Sequence, residues 1–395
     1  MTKLAALVIL VLVSISCSSV DDQDYKCLDF SNGFQNISTK HFLSEIGSEV
    51  EYVSLETRSD VLLGKISKIK FGQNEIIIYD KVQNQILLFG KDGAFIRKIG
   101  RAGKGPEEYV RVEDLVYDHL NQHIYIITLD LFFKEFTLEG EMVNSWKFKL
   151  PFWRFSNLND KELSFYMVFP NTLLTNWNSV HFKEKSNGNP SGEALYRDLS
   201  GLSESKMGPV LRQYSYKDTL CIWESFYDTI YGISKDKQIT PRFWFKQADQ
   251  YTTLEAQKNN RKDHKSEYFF ENFIEAGDYF FLSGWSQNRM IKILYNKNAK
   301  TYSEPVYNYN IMDHAFFNDL DGGIPFWPNG KIGEKHLFCI VEPIEFLRLV
   351  KSTSAKDESL FKIDVLNQNS RSNIDQLRGN ISQEDNPIIM KVRMK

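Results

Sequence analysis

Cysteine is scarce, with four in 395 residues. Cys27, Cys221 and Cys339 lie far apart and the fourth, Cys17, follows the first apolar run, so their spacing supports neither a disulfide framework nor a zinc knuckle. Cys221 in "DTLCIWES" and Cys339 in "KHLFCIVE" sit inside apolar runs and read as buried core thiols. An excess of one charge is missing too: 48 Lys and Arg stand against 51 Asp and Glu, a formal charge of −3. That balance carries no nucleic-acid footprint and no strongly acidic surface. Histidine is sparse at seven residues, and the pair His119 and His123 flanks a strand-to-strand turn, where residues four apart do not share a face. They read as exposed turn histidines. No G-x-S-x-G elbow or P-loop occurs. Beyond the N-terminus no run reaches the roughly 18 apolar residues a membrane helix needs.

The N-terminal run itself is short. Residues 4–13, "LAALVILVLV", follow a single lysine and have the length of a secretory h-region. Residues 1–16 are expected to be removed as a signal peptide, with Cys17 as the lipidated residue and residues 17–48 as a tether. Acyl chains bind membranes at about 0.8 kcal/mol per buried methylene, so anchoring would ask nothing of the folded part. Losing Lys3 takes the formal charge from −3 to −4.

Aromatic residues are plentiful at 14%, with 29 Phe and 19 Tyr, which favours strands. From residue 49 onward, runs of four to eight β-branched or aromatic residues alternate with Asp, Asn and Gly turns, the pattern of antiparallel meanders. Strands are expected at 66–71, 75–80, 85–89 and 95–99, then again at 114–117, 123–128, 132–137 and 142–148. Gly93 and Gly140 occupy equivalent hairpins 47 residues apart. Four strands repeated at that period predict an all-β propeller over residues 49–395, with six blades fitting the length. A degraded unit lies at 153–183, three strands are legible at 218–246, four at 269–307, and a last unit runs from about 316 to 341. Residues 341–352 and 370–381 have helical spacing. A strand at 388–394 is expected to complete the last blade beside "EVEYVSLET" (49–57), which would close the ring and remove its sheet edges.

The leader ending in Cys17, "IGRAGKGPEEY" (99–109), "FFNDLDGGIPFWP" (316–328) and "DNPIIMKVRMK" (385–395) together resemble the six-bladed β-propeller lipoproteins of Bacteroides, which are similar in shape to NHL-repeat propellers. The resemblance spans nearly the whole chain after Cys17. It implies a propeller exported and lipid-anchored at the outer membrane, and it transfers no catalytic residue.

Two stretches could carry chemistry. In 99–109 the glycines read as a corner between blades, where positive φ is needed. As a rim it would offer Arg101, Lys104, Glu108 and Tyr109, suited to a carboxylate or sulfate and a stacked sugar. In 316–328, Asn318, Asp319 and Asp321 could hold Ca2+ if they met Glu113 and Asp114 in the channel; turn chemistry and packing by Phe326 and Trp327 explain them equally. Asp218-Thr219-Leu220 and Asp228-Thr229-Ile230 resemble O-glycosylation acceptors of Bacteroides. The expected function is a non-catalytic binding or scaffolding module for a glycan, a peptide or a partner protein of the envelope. A calcium-assisted hydrolase or lyase in the channel is the alternative, and a structural partner of an outer-membrane transporter is a third reading.

Overall fold

In the strand Glu75–Asp80 everything from Ile76 to Asp80 is buried. Because successive side chains leave a strand on opposite faces, Ile76 and Ile78 join one apolar cluster while Ile77 and Tyr79 join another. Such a strand belongs to a sheet covered on both sides. The computed structural model describes residues 26–34, 37–167, 176–198, 211–217, 219–224, 227–246, 268–286, 289–308, 313–350, 366 and 368–395. It repeats that arrangement six times around an axis. The proposed leader and Cys17 lie outside the described residues.

Each blade is a four-stranded antiparallel meander. Blade 1 runs from Ile66–Phe71 to Phe95–Ile99 and blade 2 from Val112–Asp118 to Met142–Lys147. Blade 3 runs from Arg154–Asn157 to Pro190–Asp198, blade 4 from Leu211–Tyr216 to Ile239–Lys246, and blade 5 from Tyr268–Ala276 to Thr301–Pro305. Blade 6 takes Gly330–Ile332, His336–Val341 and Ile388–Met394, and its outer strand is the N-terminal Gly47–Ser54, paired Tyr52 to Met390 and Val53 to Ile389. The two ends of the ring therefore close as expected. Asn386 locks this junction. Its side chain donates to the carbonyls of Glu56 and Val61 and accepts from the Leu63 amide, all within 2.8 Å.

The apolar core is correspondingly divided into six clusters, one in each gap between neighbouring blades. Burial pushes the Cys221 thiol up to about 11 and the Cys339 thiol up to about 12, as buried core thiols require. Two α-helices interrupt blade 6 among the described residues, α1 (Pro343–Leu349) and α2 (Gln368–Asn380). Phe346 and Ile374 anchor them on the cluster between blades 5 and 6.

The structure departs from expectation in several segments. Residues 26–46, assigned to the tether, include Lys26–Asp29, which lies parallel to the outer strand of blade 4, and Ser38–Thr39, which does the same on blade 5. They cap two blade edges. The third blade extends to Asp198, and blade 4 gains a first strand, Leu211–Tyr216. Residues 316–328 are a buried connection held by the pairing of Phe316 with Phe326.

Candidate functional site

Residues 99–109 form the corner between blades 1 and 2. Gly100 has φ +60° and a Cβ there would come within 2.8 Å of the Phe136 ring, so glycine is required. Gly103 and Gly105 do not have positive φ. Gly103 instead leaves room for the Glu108 carboxylate, which accepts from the Gly105 amide at 2.8 Å and from Arg101 Nε at 2.8 Å. Tyr109, only 2% exposed, accepts the Ile86 amide on its hydroxyl and packs against Phe136. Burial raises that phenol to about 12. The structure thus brings Arg101 and Glu108 together and turns Tyr109 into the blade interface, out of reach of a rim ligand. Lys104 is exposed on the same corner.

The residues of the suggested calcium set are not gathered. Both oxygens of Asp319 are taken by Ser44, from its amide at 2.9 Å and its hydroxyl at 2.5 Å, which ties the N-terminal segment to the connection before blade 6. Asn318 donates to Asp321 at 2.6 Å and to the Ile324 carbonyl, while Asp321 also accepts the Gly323 amide at 2.8 Å. This is turn chemistry beside Tyr52 on the outermost strand. Asp114 lies instead on an inner strand, and Glu113 pairs with Arg111 at 3.5 Å. Among the described residues no group of three or more His, Cys, Asp or Glu is arranged to hold a metal ion.

His119 is exposed at the end of its strand, edge-on to Tyr117, whereas His123 pairs with Glu135 at 2.6 Å across the sheet and is half-buried, contrary to expectation. Thr229 bonds the exposed Asp228, and its neighbour Ile230 is buried. Asp218 lies outside the described residues, so the first acceptor motif, 218–220, is only partly placed.

What the ring does assemble is a channel. Meanders of this order send every inner strand from the face that carries the blade-to-blade connections toward the opposite face. Six inner strands enclose a cavity of about 590 Å³, lined among others by Lys70, Ser156, Asn157, Gln213, Asn272 and Lys331. Bulges at Ile66/Lys68, Val112/Asp114 and Phe270/Asn272 interrupt three of the inner strands, and the first two bring Lys68 and Asp114 together across blades 1 and 2. Arg154 and Arg212 lie at the start of the inner strands of blades 3 and 4, each one residue before the first residue of its strand that lines the cavity.

The charges at this mouth do not balance. Lys68 pairs with the buried Asp114 at 2.7 Å, and the same carboxylate accepts the Phe155 amide at 3.2 Å. Burial alone would raise the Asp114 carboxyl, but Lys68, Arg154 and Lys70 outweigh it and hold it below its ordinary value. Lys70 makes no hydrogen bond or ion pair with a described residue; burial lowers its ammonium, Asp114 offsets part of that, and Lys68 and Arg154 add to it. Arg154 donates only to the Trp153 carbonyl, and Arg212 only to the carbonyls of Glu271 and Leu211. Burial lowers the Arg212 guanidinium, and Arg154 beside it adds to the effect. Three cations therefore share the mouth without a carboxylate of their own.

Below them, two amide oxygens are also unmatched. Gln213 Nε2 donates to the Phe155 carbonyl at 2.5 Å, which fixes its orientation and leaves Oε1 buried with no protein donor. Asn157 Oδ1 is buried in the same way. None of Lys70, Arg154, Arg212, Asn157 or Gln213 was picked out by sequence motif. The usable signal was a basic residue beside an apolar one in three of the inner strands, as in "KIKF", "WRF" and "LRQ".

Comparison with solved structures gives a protein of Bacteroides fragilis named as exported, at TM-score 0.68 and 16% identity, covering 93% of this chain and 99% of that one. A DUF4221 family member from Bacteroides vulgatus has TM-score 0.46 and 10% identity over 65% of this chain and 84% of that one. A streptogramin B lyase has 0.39 and 11% over 73% and 79%. Curated proteins give no match by sequence. A family profile matches residues 26–393, nearly the whole propeller, and the chain belongs to that family, described as Domain of unknown function (DUF4934).

Proposed function

We propose that this protein is an exported, lipid-anchored binding module of the cell envelope whose ligand enters the propeller channel. Export and anchoring rest on the apolar run of residues 4–13 ahead of Cys17, and on the exported status given to the structurally similar Bacteroides fragilis protein by its name. No helix among the described residues is long and apolar enough to cross a membrane.

The observation that carries the binding reading is the 590 Å³ cavity walled by all six inner strands, with Lys70 in its wall making no hydrogen bond or ion pair with a described residue. A desolvated cation without a partner costs free energy, and pockets with a few convergent polar groups are where ligands bind. A rigid ring lets such groups converge without rearrangement. A ligand that fills the channel stabilises the fold by mass action, about 2.7 kcal/mol at a hundred times its dissociation constant.

The test is a thermal-shift screen of small glycans, peptides and organic acids against the wild type and an Asn157→Trp variant, which plugs the channel. A stabilising ligand lost in Asn157→Trp supports the channel as the site. Equal stabilisation of both places the ligand elsewhere and overturns the reading. For the anchor, palmitate labelling of the wild type that disappears in Cys17→Ser is expected; labelling that persists refutes lipidation at Cys17.

A further inference from the structure

We propose that the outer edge of blade 6 binds an extended peptide by strand addition, taking a segment in which basic residues alternate with apolar ones. The site lies on the rim of the ring, away from the channel.

Outer strands leave half of their backbone groups unpaired, and this molecule covers two of them with its own N-terminal segment, Lys26–Asp29 on blade 4 and Ser38–Thr39 on blade 5. On blade 6 the outer strand is Gly47–Ser54. The Met394 amide donates to the Lys335 carbonyl on the far side of Ile388–Met394, so by alternation Lys391 and Arg393 turn their backbone groups toward Gly47–Ser54, where Glu51 and Glu49 meet them. The N–H and C=O groups of Val50 and Tyr52 therefore face outward, and no described residue pairs with them. Glu49, Val50, Glu51 and Tyr52 line a groove of about 470 Å³. Its other wall is one face of α2, with Asn373, Gln376, Leu377 and Asn380 at helical spacing. A strand edge beside a helix suits strand addition, in which main-chain bonds give affinity and alternate side chains give specificity.

The strand also sets the chemistry of the peptide. In an added antiparallel strand, residues opposite Glu49 and Glu51 form the non-hydrogen-bonded pairs, where side chains come closest and opposite charges are favourable. Glu49 and Glu51 are 63% and 61% exposed, and their pairs with Arg393 at 3.7 Å and Lys391 at 3.4 Å are long, so each carboxylate can take a second cation. Residues opposite Val50 and Tyr52 turn to the other face. There Val50, Tyr52 and Leu377 pack on one apolar cluster, which suits an apolar side chain.

The test is fluorescence anisotropy of a fluorescein-labelled hexapeptide of alternating lysine and valine, titrated with the purified protein. Binding one to one is expected, with roughly tenfold loss when the valine amides, which would face Val50 and Tyr52, are methylated. Peptides with glutamate in place of lysine, or with all lysines first and all valines last, should bind at least as weakly as the methylated one. Proline is tolerated in an outer strand where the N–H faces solvent, so Val50→Pro should keep the urea midpoint of Val50→Ala and lose the peptide that Val50→Ala retains. Gln376→Trp, at an exposed helix position, should block the groove without touching the strand. Glu49→Lys with Glu51→Lys should transfer the preference to the glutamate peptide. No binding, equal binding of the glutamate or block-ordered peptide, or indifference to valine methylation would overturn the proposal. So would peptide binding that survives both Val50→Pro and Gln376→Trp. A dimer of the peptide-free protein in light scattering that Val50→Pro dissociates would assign the edge to a second copy and overturn the peptide. None of these outcomes bears on the channel, which the Asn157→Trp screen decides separately.

Discussion

Buried charges between the blades and charges at the channel mouth obey different rules. Between blades 4 and 5, Glu275 is 1% exposed and meets Arg242 at 2.8 Å, Lys297 at 3.1 Å and the Tyr214 hydroxyl at 3.0 Å. Between blades 2 and 3, Asp118 is equally enclosed by Lys185 at 2.8 Å, Tyr125 at 2.8 Å and Asn121 at 2.9 Å. Both oxygens of each carboxylate have donors. At the mouth, by contrast, Lys70, Arg154 and Arg212 lack carboxylate partners. Satisfied networks hold blades in register; an unsatisfied one is kept against its cost.

The largest expected effect comes from breaking the first kind. Glu275→Gln leaves the mostly buried Arg242 and Lys297 without their carboxylate, and removing one partner of a buried pair costs about 3–5 kcal/mol. Urea denaturation should show that loss as a lower midpoint. A loss no larger than that of an exposed substitution would mean water reaches the gap.

Next comes Asp118, through pH. Burial alone would raise its carboxyl, but Lys185, Asn121 and Tyr125 hydrogen bonds hold it well below the usual range. A folded value below the unfolded one, about 3.9, contributes stability that is full above the unfolded value and is lost as pH falls toward the folded one. The wild type should therefore lose midpoint steadily below about pH 5, and Asp118→Asn should start lower and show a shallower acid limb. Parallel curves for the two proteins would remove Asp118 from the acid response.

The same contrast explains what was legible in the sequence. Blades 1 and 2 could be read nearly to the residue, because strands such as "EIIIYD" and "HIYIIT" are buried on both faces and bounded by turn residues. The first strands of blades 3 and 4, "RFSN" and "LRQYSY", escaped for the reason that makes them interesting: one edge of each lines the channel, and its polar residues interrupt the apolar pattern. The corner at 99–109 drew attention through its glycines, whose service is to the backbone. Lys26–Asp29 and Ser38–Thr39 were too short to register as strands and owe their conformation to the blade edges they join. Convergence of residues more than 50 positions apart, as for Arg154 and Arg212, is a property of ring closure that no local pattern carries.

Smaller effects test the mouth itself. Arg154→Gln in the ligand-free protein should leave stability unchanged or raise it, by no more than about 1 kcal/mol, since surface and partly exposed charge effects are of that order. The gain should shrink as salt screens the neighbouring cations. A clear loss of stability would mean that Arg154 holds blades together and belongs with Glu275.

The smallest effect is expected at Arg101. Its side chain is 81% exposed, and its pairing with Glu108 faces water, where two long side chains gain little by meeting. Glu108 keeps the Gly105 amide without it, so the corner should hold its shape. Arg101→Ala is therefore expected to change neither the urea midpoint nor the thermal shift given by a ligand found in the channel screen. The comparison is sharpest here, because Arg101 and Arg154 are both cations near blade-to-blade connections and differ mainly in whether the channel lies beside them. If Arg101→Ala weakened binding while Arg154→Gln did not, recognition would belong to the outer corner, and the unpaired cations at the mouth would need another explanation.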